Sequence, residues 1–226
     1  MIIVRSATRN VRIIASPAPP PPPPPFVGSV LAIRVGEGLR FKLRSATLAE
    51  DCGHYTIDWG DGTSDTFDSD QNGIEHVYPA PGDYRVRISD EVVDILVGDP
   101  DDASDYSTIY APMLTGFRSN GTRLEEFPSS TFRNCVNLAD LDVAESALNS
   151  IRGAAFRNCP ALSGELRFPR VNAVRGTGAT QPFAGCPNVT ALRFGRANED
   201  AITSGAAYRD DPTLGTGVEG VCRFDL

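Results

Sequence analysis

Phe132-Arg133-Asn134-Cys135-Val136-Asn137-Leu138 returns as Phe156-Arg157-Asn158-Cys159-Pro160-Ala161-Leu162 and again as Phe183-Ala184-Gly185-Cys186-Pro187-Asn188-Val189. A fourth copy, Ala206-Ala207-Tyr208-Arg209-Asp210-Asp211-Pro212-Thr213-Leu214, aligns with Ala154 to Leu162, so the aromatic positions 132, 156, 183 and 208 are spaced by 24, 27 and 25 residues. That spacing is the period of a solenoid, whose units bury an apolar face only by stacking on their neighbours. Each unit runs on into a short strand, Leu138 to Val143, Leu162 to Phe168 and Val189 to Phe194, with Val221 to Phe224 as a fourth. A second apolar pair follows, such as Leu148 and Ile151, matched by Leu124 and Phe127 upstream and by Val171 and Val174 downstream. Stacking predicts one spine of Phe132, Phe156, Phe183 and Tyr208 and another of Cys135, Cys159 and Cys186, the thiols acting as small apolar fillers. One cysteine per rung, with no C-x-x-C pair, does not converge on zinc or an iron cluster. Rungs about 4.8 Å apart do bring neighbouring cysteines near disulfide reach, and that alternative stays open. Asp211, in place of the cysteine of the last copy, suits an end cap.

Upstream, the apolar period changes from repeat to alternation. Leu31-Ala32-Ile33-Arg34-Val35, Leu39-Arg40-Phe41-Lys42-Leu43 and Tyr84-Arg85-Val86-Arg87-Ile88 put apolar residues on one face and basic ones on the other, between turn signals. Short strands so spaced, with no helical period between them, indicate an antiparallel β-sandwich. In Trp59-Gly60-Asp61-Gly62-Thr63 the indole fills a core, the glycines allow the positive φ of a tight hairpin, and Asp61 can bond its own turn. Pro81-Gly82 makes a second turn, and Tyr78 and Tyr84 can bury rings while keeping a partner for each hydroxyl. Asp58, Asp61, Asp65, Asp68 and Asp70 raise the question of calcium, but they lack EF-hand spacing, and solvated turn carboxylates are the simpler reading.

Two resemblances follow from these residues. The W-G-D-G-T turn followed by H-x-Y-x-x-P-G-x-Y-x-V, His76 to Val86, resembles the PKD-type immunoglobulin-like domain over residues 28 to 97. The A-F-x-x-C-x-x-L signature resembles the BspA-like (treponemal-type) leucine-rich repeats of bacterial surface proteins over residues 109 to 226. The expected fold is mostly β: an Ig-like, PKD-like β-sandwich at 26–98, an acidic linker at 99–108 (Asp99-Pro100-Asp101-Asp102-Ala103-Ser104-Asp105 and on), and a short leucine-rich-repeat solenoid of about four units at 109–226. Ahead of these, residues 1–25 hold strand-like Ile2-Ile3-Val4 and Val11-Arg12-Ile13-Ile14 and then Pro19 to Pro25. The proline run is a stiff polyproline spacer at about 3.1 Å per residue, or else a docking site for a proline-recognition domain.

Composition narrows the chemistry. The 226-residue chain carries 29 acidic and 21 basic side chains, a net charge of −8, which argues against a nucleic-acid groove. Its five cysteines are an odd number, unlike a small secreted disulfide scaffold. The N-terminus lacks the continuous apolar core of a signal peptide, and no apolar run is long enough to span a membrane. Two histidines, His54 and His76, leave little for acid–base relays, and His76 is explained by the PKD resemblance. Glu125 with Glu126, or Asp140 with Asp142, would need the spacing of a glycosidase pair, whereas solenoid strands ordinarily set alternate polar residues towards water. No phosphate-binding glycine loop is present, and the N-x-T triplets at Asn120 and Asn188 are chance matches. Neither a catalytic residue, a metal site nor a cofactor is expected.

Two functions remain open. One is a non-catalytic binding or adhesion module of a bacterial surface or extracellular protein, which both resemblances imply, recognising a protein or glycan through outward solenoid positions such as Asp140, Asp142, Arg167 and Arg193. The other is a structural component of a phage tail, virion or similar assembly, docked or self-assembled through strand addition by the N-terminal tail.

Overall fold

The structure, a computed structural model, describes residues 25–177, 180–210 and 221–225. The strand-like tail, the proline run before Pro25 and Asp211 lie outside the described residues. The protein is mostly β, two facing sheets followed by a solenoid-like coil.

Seven strands make the first unit: β1 (Gly28–Val35), β2 (Arg40–Leu48), β3 (Tyr55–Asp58), β4 (Ser64–Phe67), β5 (Gln71–Val77), β6 (Gly82–Ser89) and β7 (Val92–Leu96). Alternation decides which face each buries. Leu31, Ile33 and Val35 of β1, Tyr55 and Ile57 of β3 and Val86 and Ile88 of β6 point into a core shared with Phe41 and Leu43 of β2, Ile74 of β5 and Ile95 of β7. One sheet orders these strands β1-β6-β3-β4 and the other β5-β2-β7, all antiparallel.

The Trp59 turn locks the end of this core. The fully buried indole donates to Asp65 Oδ2 at 2.8 Å and stacks on His76 with ring centroids 4.6 Å apart. His76 Nε2 lies 2.8 Å from Asp61 Oδ2, and the Thr63 amide and hydroxyl donate to Asp61 Oδ1. Gly60, at φ +82°, is required: a Cβ there would sit 2.5 Å from the Arg85 carbonyl. Burial alone would push the Asp61 carboxyl up, but the hydrogen bonds from Thr63 and His76 outweigh it and hold the group down at about 2, against an ordinary 3.8. A carboxylate depressed in the folded state stabilises the fold above its unfolded pKa and ceases to as the pH falls through its folded value. Asp61→Asn therefore costs about 2 kcal/mol near pH 7 and close to nothing near pH 2. Urea unfolding at both pH values checks this, and an equal loss at each would refute it.

Of the acids that raise the question of calcium, Asp58 accepts from the Gly60 amide, Asp61 from Thr63 and Asp65 from the Trp59 indole, all at the Trp59 turn, and Asp70 accepts from the Leu48 amide. No group of three or more His, Cys, Asp or Glu is placed to hold a metal ion among the described residues.

The coil begins with β8 (Leu114–Ser119), which pairs antiparallel with β1 on one edge and parallel with β10 (Asp140–Asp142) on the other. A six-stranded sheet, β10-β8-β1-β6-β3-β4, thus runs unbroken from the first unit into the coil. The same column of the coil continues as β12 (Gly164–Phe168), β14 (Val189–Phe194) and β15 (Val221–Phe224), all parallel. A second parallel column is β9 (Glu126–Phe127), β11 (Ser150–Ile151) and β13 (Ala173–Val174). β10 and β12 fall in separate sheets, and the β12–β14 register shifts between Gly164, at φ +72°, and Glu165, leaving Thr190 of β14 unpaired as a bulge.

A third side carries the recurring motif. Phe132 N donates to Ala155 O and Phe156 N to Pro182 O, both at 2.7 Å, so the turns are also bonded rung to rung. Phe132, Phe156 and Phe183 stack at 5.2 and 5.0 Å, as the repeat predicts. Tyr208 departs from that spine and meets Phe224, 6.2 Å away, at the end of a second stack formed by Phe168, Phe194 and Phe224. It is displaced because the last copy is built into short helices, α1 (Glu199–Thr203) and α2 (Ala206–Asp210). The residue before each cysteine is left-handed: Asn134 (φ +63°), Asn158 (φ +60°) and Gly185 (φ +78°). Asn tolerates this conformation, and Asn158 Nδ2 donates to Asn134 Oδ1 at 2.9 Å, while a Cβ on Gly185 would lie 2.6 Å from Asn158 Oδ1.

The cysteine spine is buried and reduced. Cys159 and Cys186 each donate from Sγ to the carbonyl of the phenylalanine one rung back, Phe132 and Phe156, at 3.0 Å. Burial pushes the Cys135 and Cys159 thiols well up, so they stay protonated. Native protein should react with a thiol reagent at no more than two of its five cysteines, Cys52 and Cys222, and at all five after unfolding; a third fast thiol would place the spine wrongly.

The acidic stretch 99–108 is fastened to both units. Asp99 pairs with Arg44 of β2 at 2.7 Å, and Asp102 pairs with Arg133 at 2.6 Å and accepts from Asn134 Nδ2, extending the asparagine ladder. The Arg133 hydrogen bond holds the Asp102 carboxyl below its usual range. A single helical turn, Tyr106–Tyr110, follows.

Candidate functional site

The outward face of the six-stranded sheet carries two adjoining clefts over β6, β1, β8 and β10. Register defines two rows across it. One runs Asp58, Arg87, Val30, Arg118, Asp142, and the other Arg85, Ala32, Gly116, Asp140, from β3 and β6 through β1 and β8 to β10. The second row is small in its middle, at Ala32 and Gly116, and the first sets Val30 between the long side chains of Arg87 and Arg118, so a trough forms between the guanidinium groups. Gly116 sets its depth: a Cβ there would already press within 3.3 Å of Asp140 and 3.4 Å of Ala32. The larger of its two clefts holds about 300 Å³ and is lined by Phe26, Arg85 and Arg87 towards β6, by Arg118 in the middle, and by Asp142 and Glu145 towards β10. A smaller cleft of about 150 Å³ over Ala32 and Gly116 continues it.

The walls differ in how far they are already engaged. Arg118 donates from Nε and Nη2 to Asp140 Oδ2 at 3.0 and 2.8 Å, which fixes its guanidinium plane. Arg87 lies 3.9 Å from Asp58 and over the Phe26 ring at 5.8 Å. Arg85 is exposed and makes no ion pair among the described residues. Asn120 spends both ends of its amide on the backbone of Phe26 and Gly28, which pins the Phe26 segment to the rim.

Of the residues singled out in the sequence, Asp140 and Asp142 stand on this trough. Arg167 and Arg193 do not: they sit further along the coil, in register on β12 and β14, with Arg223 of β15 next in line. Arg167 is exposed, bonded to Glu165 at 2.9 Å. Arg193 is only 21% exposed and is held between Glu165 and Asp225, so its guanidinium is a rung-to-rung tie. Arg85, Arg87 and Arg118 escaped the sequence reading, although the alternation that places them outward was visible; what made them a site is pairing between β1 and β8, more than 80 residues apart.

His54 is exposed, and His76 is sealed between Trp59, Tyr78 and Asp61. No helix among the described residues is long and apolar enough to cross a membrane. The chain matches no protein-family model, no curated protein and no solved structure.

Proposed function

We propose that the protein is a non-catalytic binding module of a bacterial surface or extracellular protein, its two-sheet unit a PKD-like sandwich of immunoglobulin type and its coil a set of BspA-like leucine-rich repeats. It recognises a protein or glycan through outward strand positions. The observation that carries this reading is the trough: a side-chain-lined depression on a sheet held rigid by continuous pairing across both units. Rigid strands lose little entropy when a ligand docks on them, which suits recognition by shape and charge.

The test is capture on protein and glycan arrays by the native chain and by a variant carrying Arg85→Ala, Arg87→Ala, Asp140→Ala and Asp142→Ala. All four side chains are exposed, so the fold should survive. Specific capture falls at least tenfold in the variant; capture that is unchanged would remove this face from the function.

A second reading, a structural component attached through its N-terminal tail, is favoured by charge. The first 25 residues hold Arg5, Arg9 and Arg12 and no acid, in a chain of net charge −8. Light scattering on the full chain and on one starting at Phe26 separates the two readings: an oligomer that becomes a monomer on truncation supports attachment, and two monomers reject it.

A further inference from the structure

We infer that the trough takes a carboxylate-bearing oligosaccharide, an inference that rests on the binding-module reading and names its ligand class. The trough lies on the face of the sheet, where strand amides and carbonyls are already spent on neighbouring strands, so a ligand there meets side chains only. Those side chains form a graded set. Arg85, with no ion pair among the described residues, and Arg87 beside it offer guanidinium forks to a carboxylate. Phe26, 38% exposed at the rim, offers a ring face to the C–H side of a sugar. At the other end Asp142 and Glu145 are exposed, and their carboxyl oxygens accept hydrogen bonds, which suits hydroxyl donors. Arg118, tied to Asp140 through Nε and Nη2, keeps Nη1 without an acceptor among the described residues, between the two ends.

Dimensions agree with this class. From β6 to β10 is three strand spacings, about 14 Å, room for two or three pyranose rings. Charge excludes the nearest competitors. An acidic peptide or a nucleic-acid backbone would satisfy the arginines but bring like charge against Asp140, Asp142 and Glu145. A saccharide whose single carboxylate lies at one end of the chain places its charge at one wall and hydroxyls at the other.

The experiment is calorimetric titration of the full chain at low salt with sialyllactose and with a trisaccharide carrying one terminal glucuronate, beside their methyl esters and hexaglutamate. At least one carboxylated sugar should bind saturably, its methyl ester at least tenfold more weakly. Arg85→Gln should weaken it at least fivefold at an unchanged melting midpoint, and Arg196→Gln, exposed and remote, should have no effect. Equal binding of acid and ester, or full affinity in Arg85→Gln, overturns the carboxylate assignment. Hexaglutamate binding as tightly as the sugars overturns the saccharide class in favour of an acidic peptide. If neither sugar binds, the inference falls, and array capture that still depends on the face would leave the binding reading standing alone.

Discussion

Replacing Phe156 with alanine should lower the unfolding free energy by about 3–5 kcal/mol, the cost of emptying a packed aromatic site. Phe156 is fully buried and touches Phe132 and Phe183 along its own spine, at 5.2 and 5.0 Å, and Phe127 and Phe168 across the coil, at 5.5 and 6.2 Å. Its neighbours are held by rung-to-rung backbone bonds on all sides, so the cavity cannot collapse cheaply. The informative readout is remote. Trp59 is the protein's one tryptophan and lies in the two-sheet core, outside the coil. Because β8 is at once a rung of the coil and a neighbour of β1, loss of the coil strips an edge strand from the first unit. Phe156→Ala should therefore shift the Trp59 fluorescence midpoint in urea together with the circular-dichroism midpoint. A fluorescence midpoint that stays in place while the dichroism moves would show two independent units.

The sequence is legible where identical side chains recur at fixed intervals and opaque where partners are distant. Phe132, Phe156, Phe183 and the three buried cysteines announce their ladder because every rung must fill the same space. The Trp59 turn is similarly local: its glycines, Asp61 and Thr63 meet within five residues. Tyr208 keeps its place in the repeat and not in the spine, since it lies on the short helix α2 and its ring meets Phe224. The trough is harder to foresee. Asp140 and Asp142 are outward by simple alternation, but what they face depends on β8 choosing β1, and nothing in Leu114 to Ser119 names that partner. Arg193 shows the converse: its outward position is right, yet Glu165 and Asp225 consume its charge. The acidic stretch at 99–108 has no apolar period, and it is held instead by charge, Asp99 on Arg44 and Asp102 on Arg133.

That stretch begins beside the position where the smallest change should do the most damage. Gly98 leaves β7 pressed against the first turn of the coil, with Val97 N and Gly98 N both donating to Thr131 O, at 2.9 and 2.8 Å. A Cβ on Gly98 would lie 2.5 Å from Ser130 O and 2.6 Å from both Arg133 N and Arg133 O, all of them backbone. No rotamer relieves such contacts, so Gly98→Ala must push the Ser130–Arg133 turn away. Ser130 is already left-handed at φ +68°, and the turn is bonded onward to the next rung through Ser130 N and Gly153 O. The expected cost is about 3 kcal/mol, the upper part of the range for overpacking a close-packed site. Displacing Arg133 also loosens its pair with Asp102, so added salt should lower the stability of the native chain, whose half-exposed ion pair is still there to be screened, slightly more than that of the variant. Gly38→Ala is the control: nothing lies within 4 Å of its Cβ, and its loss of backbone freedom in the unfolded chain should leave stability unchanged or raised by a few tenths of a kcal/mol, on the order of the known glycine effect. Urea midpoints for the two variants decide the matter, and a Gly98→Ala midpoint equal to that of Gly38→Ala would mean that β7 and the first turn of the coil are not in contact as described.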